Sequence, residues 1–315
     1  MSATLRAAVV GVGYLGNFHS QKYKSLSENK FKGSLELVGV CDLNSAQADK
    51  VASSLGVKAF TNYEELVGKV DCVSIATITP AHFEAARFFL KHGIHVNVEK
   101  PITIRVDEAR ELITLAKEKN LVLAVGHSER FNPAFVRLKE IIKKPIWVEF
   151  HRHAPFKERG SDVSVLHDLA IHDIDLAFNL LPGKCELTDV CGGKLVTQQI
   201  DWSNFIYKFD SGVKALISIS RVAPEMNRSI KVIESDRIVF ADLQNGIVKT
   251  THFKKAMDTP IQIETENVGK GDNLLIETEC FVQSILDKKP AVVTGEDGRR
   301  ALESVEMILS RLQVH

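Results

Sequence analysis

Short hydrophobic runs alternate with helically spaced segments along the first 126 positions. Ala7–Val10, Leu35–Cys41, Val57–Phe60, Asp71–Ala76, Ile94–Val98 and Leu121–Val125 read as strands. Between them lie a helical pattern through Leu15, Phe18, His19, Lys22, Tyr23 and Leu26, then Ser45–Leu55, a short turn at Tyr63–Val67, Ala81–Lys91 and Val106–Lys119. Nearly continuous apolar strands separated by helices predict right-handed parallel crossovers and a doubly wound parallel sheet. Past Gly126 the rhythm changes. A helix over Phe131–Lys143 and a strand from Ile146 to His151 are followed by extended runs at Lys194–Thr197, Asn204–Phe209, Val213–Ser220, Ser229–Ile233, Arg237–Ala241 and Ile247–His252. Turn signals such as Asp210-Ser211-Gly212 and Gln244-Asn245-Gly246 imply antiparallel pairing. Two helices, Leu274–Leu286 and Gly298–Leu312, close the chain. The predicted architecture is α/β, then α+β with a large, mainly antiparallel open sheet.

The first strand runs into Gly11-Val12-Gly13-Tyr14-Leu15-Gly16, a G-x-G-x-x-G turn at a strand-to-helix junction. In such a turn Gly11 permits the tight bend, Gly13 lets backbone approach a pyrophosphate, and Gly16 lets the helix pack on the strand. The anion sits at the helix N-terminus, where unpaired N–H groups and the helix dipole favour it. Tyr14 and Leu15 belong to the same cofactor turn. Asp42 ends the second strand, 26 residues past Gly16, with the loop Ser27–Ser34 accounting for the spacing. A carboxylate there accepts both hydroxyls of an adenosine ribose and repels a 2′-phosphate, and Leu43-Asn44 offers no cation to hold one; NAD is therefore favoured over NADP. The bland reading makes Asp42 a turn residue or the N-cap of the helix from Ser45 to Leu55.

Ligands of such sheets lie outside the carboxyl ends of the strands, which turns strand ends into a site list. The fourth strand delivers Thr77, Thr79, Pro80 and His82, the fifth Glu99-Lys100-Pro101, the sixth His127. Lys100 at a strand end can stabilise a developing alkoxide, and the proline makes a cis bond possible; a surface salt bridge is the alternative. In the helix Leu166–Ala177, Asp168, His172 and Asp175 stand at i, i+4 and i+7, on one face. Asp168 can orient the His172 imidazole and raise its basicity. A metal is not expected: no third ligand stands at a recognised spacing and H-E-x-x-H is absent.

Gly11-x-Gly13-x-x-Gly16, Glu99-Lys100-Pro101 and Asp168-x-x-x-His172, in this order, resemble the Gfo/Idh/MocA family of NAD(P)-dependent sugar and polyol dehydrogenases over essentially the whole chain. The resemblance implies an N-terminal Rossmann domain over 1–126 that binds NAD, with Glu99 and Lys100 beside the cofactor. It implies a substrate-binding and oligomerisation domain over 127–315. Lys100, Asp168 and His172 become the catalytic set, with a cis bond at Pro101. Gly126-His127-Ser128-Glu129-Arg130-Phe131-Asn132-Pro133 and the Asp168–Asp175 stretch look like those of members oxidising C3 of a UDP-N-acetylhexosamine, UDP-GlcNAc or its uronic acid. Arg130, Asn132 and Arg152 would then face the substrate with Lys100, Asp168 and His172. An inositol or hexose (phosphate) dehydrogenase of the same family is the first alternative. A non-catalytic NAD-responsive regulator on the same fold is the second.

Composition narrows the partners. Forty basic residues balance forty acidic ones, so no overall field draws the chain to nucleic acid or membrane. No apolar run approaches a membrane span, and no leader pattern precedes the first strand; cytoplasmic residence is expected. The five cysteines are scattered without C-x-x-C, which argues against a disulfide framework or structural zinc. A homodimer or homotetramer is expected.

Overall fold

The apolar runs of the N-terminal third become β1 (Leu5–Val10), β2 (Leu35–Cys41), β3 (Lys58–Phe60), β4 (Cys72–Ile75), β5 (His95–Glu99) and β6 (Leu123–Gly126). The computed structural model describes residues 4–158, 160–253 and 261–312. Helices α1 (Tyr14–Glu28), α2 (Ser45–Leu55), α3 (His82–Lys91) and α4 (Val106–Glu118) connect the strands. All pairings are parallel, in the order β3-β2-β1-β4-β5-β6. The order reverses between β1 and β4, and at such a switch point the crevice beyond the strand ends is open to a ligand. The glycine turn leaves β1 there and the Thr77 loop leaves β4.

The remaining strands are β7 (Trp147–His153), β8 (Cys185–Gly193), β9 (Trp202–Phe209), β10 (Lys214–Ser220), β11 (Asn227–Ile233), β12 (Arg237–Asp242), β13 (Ile247–Phe253) and β14 (Ile261–Asn267). They form one sheet, ordered β14-β13-β12-β11-β7-β10-β9-β8, antiparallel except for the β7–β10 pair. Alternation sets its faces. Val148, Phe150, Ala215, Ile217, Ile230 and Val232 are buried against α5 (Pro133–Ile141), α6 (Ile171–Leu180) and the later part of α8 (Gly295–Arg311). Gly212 and Gly246 hold positive φ in the two predicted turns.

Two compact units result, residues 1–128 with 273–300, and 129–272 with 301–315. The division therefore differs from a single cut at 126/127. Helix α7 (Asn273–Leu286) belongs to the first unit because Phe281 and Val282 are buried in the core that holds Tyr23 and Leu26 of α1. Three local expectations also change. Lys194–Thr197 is not a strand: the backbone N–H groups of Leu195, Val196 and Thr197 donate to Asp201 Oδ2 at 2.7, 2.7 and 2.9 Å, winding the segment round a buried carboxylate. Against burial, those bonds hold the Asp201 carboxyl at about 2. Strands β8 and β14 were outside the predicted extended runs. The helix at Leu166 opens with a π-turn over Leu166–Ala170 before α6 begins.

Candidate active site

In the first unit the glycine turn behaves as its sequence requires. Gly11 has φ +81°, and a Cβ on it would lie 2.7 Å from the Thr77 nitrogen. A Cβ on Gly16 would lie 1.7 Å from the Gly11 carbonyl oxygen, so only glycine lets α1 start there. A Cβ on Gly13 meets nothing within 4 Å. Two glycines are thus demanded by packing, and the third is not. Val10, Gly11, Gly13, Cys41, Asp42, Leu43, Thr61, Tyr63 and Ala76 through Ile78 contribute to the walls of a cavity of about 430 Å³. Asp42 is held by two backbone donors, Val12 N–H to Oδ2 (2.8 Å) and Asn44 N–H to Oδ1 (2.9 Å). Leu43 and Ile78 are exposed beside it.

Of the predicted cofactor residues, Gly11, Gly13, Asp42 and Thr77 line this cavity. Gly16 shapes the turn, and Tyr14 and Leu15 are exposed on the first turn of α1. Thr79 and Pro80 form a 3₁₀ turn ahead of α3. His82 is turned inward, with Nδ1 2.9 Å from the Pro101 carbonyl and Nε2 3.1 Å from the Thr77 carbonyl. Burial holds its pKa down despite those carbonyls, so the neutral ring donates to one of them at a time. It ties the loop after β4 to the turn after β5. The Lys100–Pro101 bond is cis.

Glu99 is buried, and its carboxyl occupies the room left by Gly126, where a Cβ would come within 2.8 Å. Oε1 lies 2.7 Å from His19 Nε2, and Oε2 accepts the Lys100 backbone N–H at 3.2 Å. Although burial opposes its charge, the Glu99 carboxylate keeps the His19 imidazole above its ordinary pKa. Lys100 itself is half-buried, and His127 is buried at the end of β6.

In the second unit, Asp168 lies in the π-turn and His172 in the first turn of α6, both half-buried. A π-turn carries an extra residue, so regular i, i+4, i+7 spacing does not continue through it. The π-turn takes Asp168 out of that spacing, while His172 and Asp175 stay three apart in the regular part of α6; Asp175 is 1% exposed and takes Arg130 Nε and Nη2 at 2.7 and 2.6 Å. Arg152 is likewise buried, donating to Asp173 through Nε and Nη2 at 2.9 Å each and to Glu129 at 3.2 Å. Burial notwithstanding, those two carboxylates hold its guanidinium above the ordinary arginine range. Asn132 caps α5 by accepting the Ala134 N–H at 3.0 Å and donates to the Leu243 carbonyl at 2.9 Å. The expected substrate contacts Arg130, Asn132 and Arg152 are therefore committed to internal partners, because buried charges and amides require them.

Sequence reasoning missed the acids Glu129 and Asp173, the half-buried Arg228 opposite Arg152 on β11, and the cavity residues Thr61 and Tyr63. It also missed Glu277, which sits on α7 beside Asn97. Arg130 and Asp175, or Asn97 and Glu277, share no periodic signal because fold topology alone brings them together.

Known proteins resemble the chain in sequence and in fold. A model of an oxidoreductase family with an NAD-binding Rossmann fold matches residues 5–127. UDP-N-acetylglucosamine 3-dehydrogenase of Acidithiobacillus ferrooxidans is 37% identical over 305 residues, covering 95% of this chain and 94% of that protein. A solved structure of that enzyme superposes with a TM-score of 0.89 at 34% identity, over 98% of each chain. Myo-inositol 2-dehydrogenase of Thermotoga maritima is 25% identical, covering 95% of this chain and 93% of that protein. A 3-ketoreductase from Actinomadura kijaniata, solved with TDP-benzene and NADP, shares the fold at 15% identity with a TM-score of 0.83 over 99% of each chain. Among the described residues no helix is long and apolar enough to cross a membrane.

Proposed function

The chain belongs to the Gfo/Idh/MocA oxidoreductase family, and from that premise we propose that it oxidises the C3 hydroxyl of a UDP-N-acetylhexosamine, UDP-GlcNAc first, with NAD. The observation that carries the substrate is the 37% identity to UDP-N-acetylglucosamine 3-dehydrogenase across 95% of the chain. The inositol dehydrogenases lie further off, at 25% for the Thermotoga maritima protein.

The residues of the first unit fit a dinucleotide. The glycine turn presents N–H groups to the pyrophosphate, and Asp42, already aimed by two backbone donors, accepts the ribose hydroxyls. Leu43 supplies no charge for a 2′-phosphate. Replacing Asp42 with Ala should lower NAD affinity and narrow its preference over NADP, read from the KM for each. When bound, NAD accepts the hydride leaving the carbinol carbon.

The chain's own task is to remove the hydroxyl proton. In the second unit His172 is the base, held in orientation by Asp168; in the first unit Lys100 is the donor that stabilises a developing alkoxide. His172→Ala should lower kcat by about 10²- to 10⁴-fold, the usual worth of a general base, while the NAD dissociation constant measured by titration stays within twofold. A screen of NAD reduction across UDP-sugars, inositols and hexoses decides the substrate. Turnover of inositol but not of UDP-GlcNAc would overturn the nucleotide-sugar reading and leave the dehydrogenase; no turnover of any alcohol would favour the regulator.

A further inference from the structure

His19 on α1, Glu99 at the end of β5 and Glu277 on α7 bring ligand-bearing atoms within 4.8 Å of one another. Their exposures are 1%, 8% and 4%. Glu277 Oε1 accepts the Asn97 amide at 3.2 Å, while Glu277 Oε2, Asn97 Oδ1 and His19 Nδ1 are buried without a hydrogen-bond partner among the described residues. Two ionised carboxylates beside one imidazolium leave an excess negative charge in the interior, which is costly unless a proton or a cation neutralises it. The 2.7 Å contact between His19 Nε2 and Glu99 Oε1 is a direct hydrogen bond, too short to admit an ion between those atoms. A proton is the simpler answer, and Glu277 is where it goes, since Glu99 already has His19 and the Lys100 N–H.

Among the described residues, the groups near Glu277 are consistent with that assignment. Helix α1 contributes His19 and Tyr23, whose hydroxyl pairs with Ser74 Oγ on β4 at 2.9 Å. Strand β5 contributes Asn97 and Glu99, followed by Lys100, β4 adds Cys72 and α7 adds Cys280. Burial pushes Tyr23, Cys72 and Cys280 upward, so all three are neutral through the physiological range.

We propose that Glu277 is a positioning residue that holds a reserve proton. Neutral, it leaves the His19–Glu99 pair intact and fixes the Lys100 end of β5; ionised, it sets a second anion against Glu99 and loosens that end. Burial first, then the Glu99 charge, push the Glu277 carboxyl up to about 8. The link to catalysis rests on Lys100 acting on the substrate, as proposed above.

The test compares wild type with Glu277→Gln, an isostere of the neutral acid, between about pH 6 and about pH 10. The wild type should lose kcat for UDP-GlcNAc about tenfold per pH unit above the apparent pKa, whereas its Tm should fall as pH rises toward that pKa, where the unfolded chain has lost the proton the folded chain keeps, and level off above it. E277Q should show neither loss. Infrared spectra of the wild type should show a protonated carboxyl band that disappears on the same titration, a reading that does not depend on the variant folding. A wild-type limb that persists in E277Q, or a spectrum with no titrating carboxyl band, overturns the proposal. If UDP-GlcNAc is not turned over at all, the substrate reading fails alone, and the infrared and Tm titrations still decide whether Glu277 carries the proton.

Discussion

At the scale of single residues, the glycine turn separates two reasons for having no side chain. Gly16 is required by protein contact, for its Cβ would fall 1.7 Å from the Gly11 carbonyl oxygen. Gly13 is not, since nothing lies within 4 Å of its Cβ. Gly16→Ala should therefore disturb the start of α1 and lower Tm, with a cost above the about 1–3 kcal/mol typical of overpacking because the clash is with backbone. Gly13→Ala should fold with Tm within a few degrees of wild type and lose NAD affinity. Paired thermal scans and NAD titrations check both; equal loss of stability in the two variants would remove the assignment of Gly13 to the cofactor. These residues were legible in the sequence because a turn writes its demand locally: glycine, at fixed spacing, between a strand and a helix. Asp42 was legible as a carboxylate at a strand end, and there it lines the cavity.

At the scale of elements, the D-x-x-x-H helix was found but the partners of its acids were not. The π-turn at Leu166–Ala170 takes Asp168 out of regular helical register, while His172 and Asp175 keep theirs in α6. Asp173 and Asp175 then point inward to arginines at 152 and 130. Such partners are 21 and 45 residues away in the chain, and no local pattern announces them. β14 was passed over for another reason: Ile261 and Ile263 alternate with Gln262 and Glu264, but the run is short and polar beyond them, and all of its residues are exposed. Asp201 misled in the opposite sense, because the residues it gathers have strand-like propensity while its carboxylate needs their N–H groups in a loop. The buried ion pairs make a sharp prediction. Asp173→Asn leaves the Arg152 guanidinium buried with only Glu129 and should cost about 3–5 kcal/mol, as broken buried pairs do. Replacing Arg152 and Asp173 together with Met and Leu should cost less than the single change. Urea unfolding of the three proteins measures the difference; a double variant as damaged as Asp173→Asn would mean that the pair contributes geometry rather than compensated charge.

At the scale of the whole molecule, the chain leaves the first unit after Ser128 and re-enters it at Asn273. The return has a thermodynamic motive. Helix α7 buries Phe281 and Val282, at 2% and 0% exposure, in the core lined by Leu26 and Tyr23. At roughly 1.5–3 kcal/mol for each fully buried large side chain, losing those two removes a large part of the about 5–15 kcal/mol that holds an ordinary domain folded. It also strips Glu277 from His19 and Glu99, leaving polar groups that the fold buries without their neighbours. A fragment of residues 1–128 should accordingly be largely unfolded or aggregated. A chain in which 1–128 is joined by a short flexible linker to 273–300 should regain a cooperative thermal transition and bind NAD. Circular dichroism and NAD titration of the two fragments provide the check. If 1–128 alone melts cooperatively and binds NAD as tightly as the joined chain, α7 is an accessory to this unit and not part of its core. The outcome also bears on the proton held at Glu277: a cofactor unit that cannot fold without α7 carries that carboxyl wherever it carries Lys100.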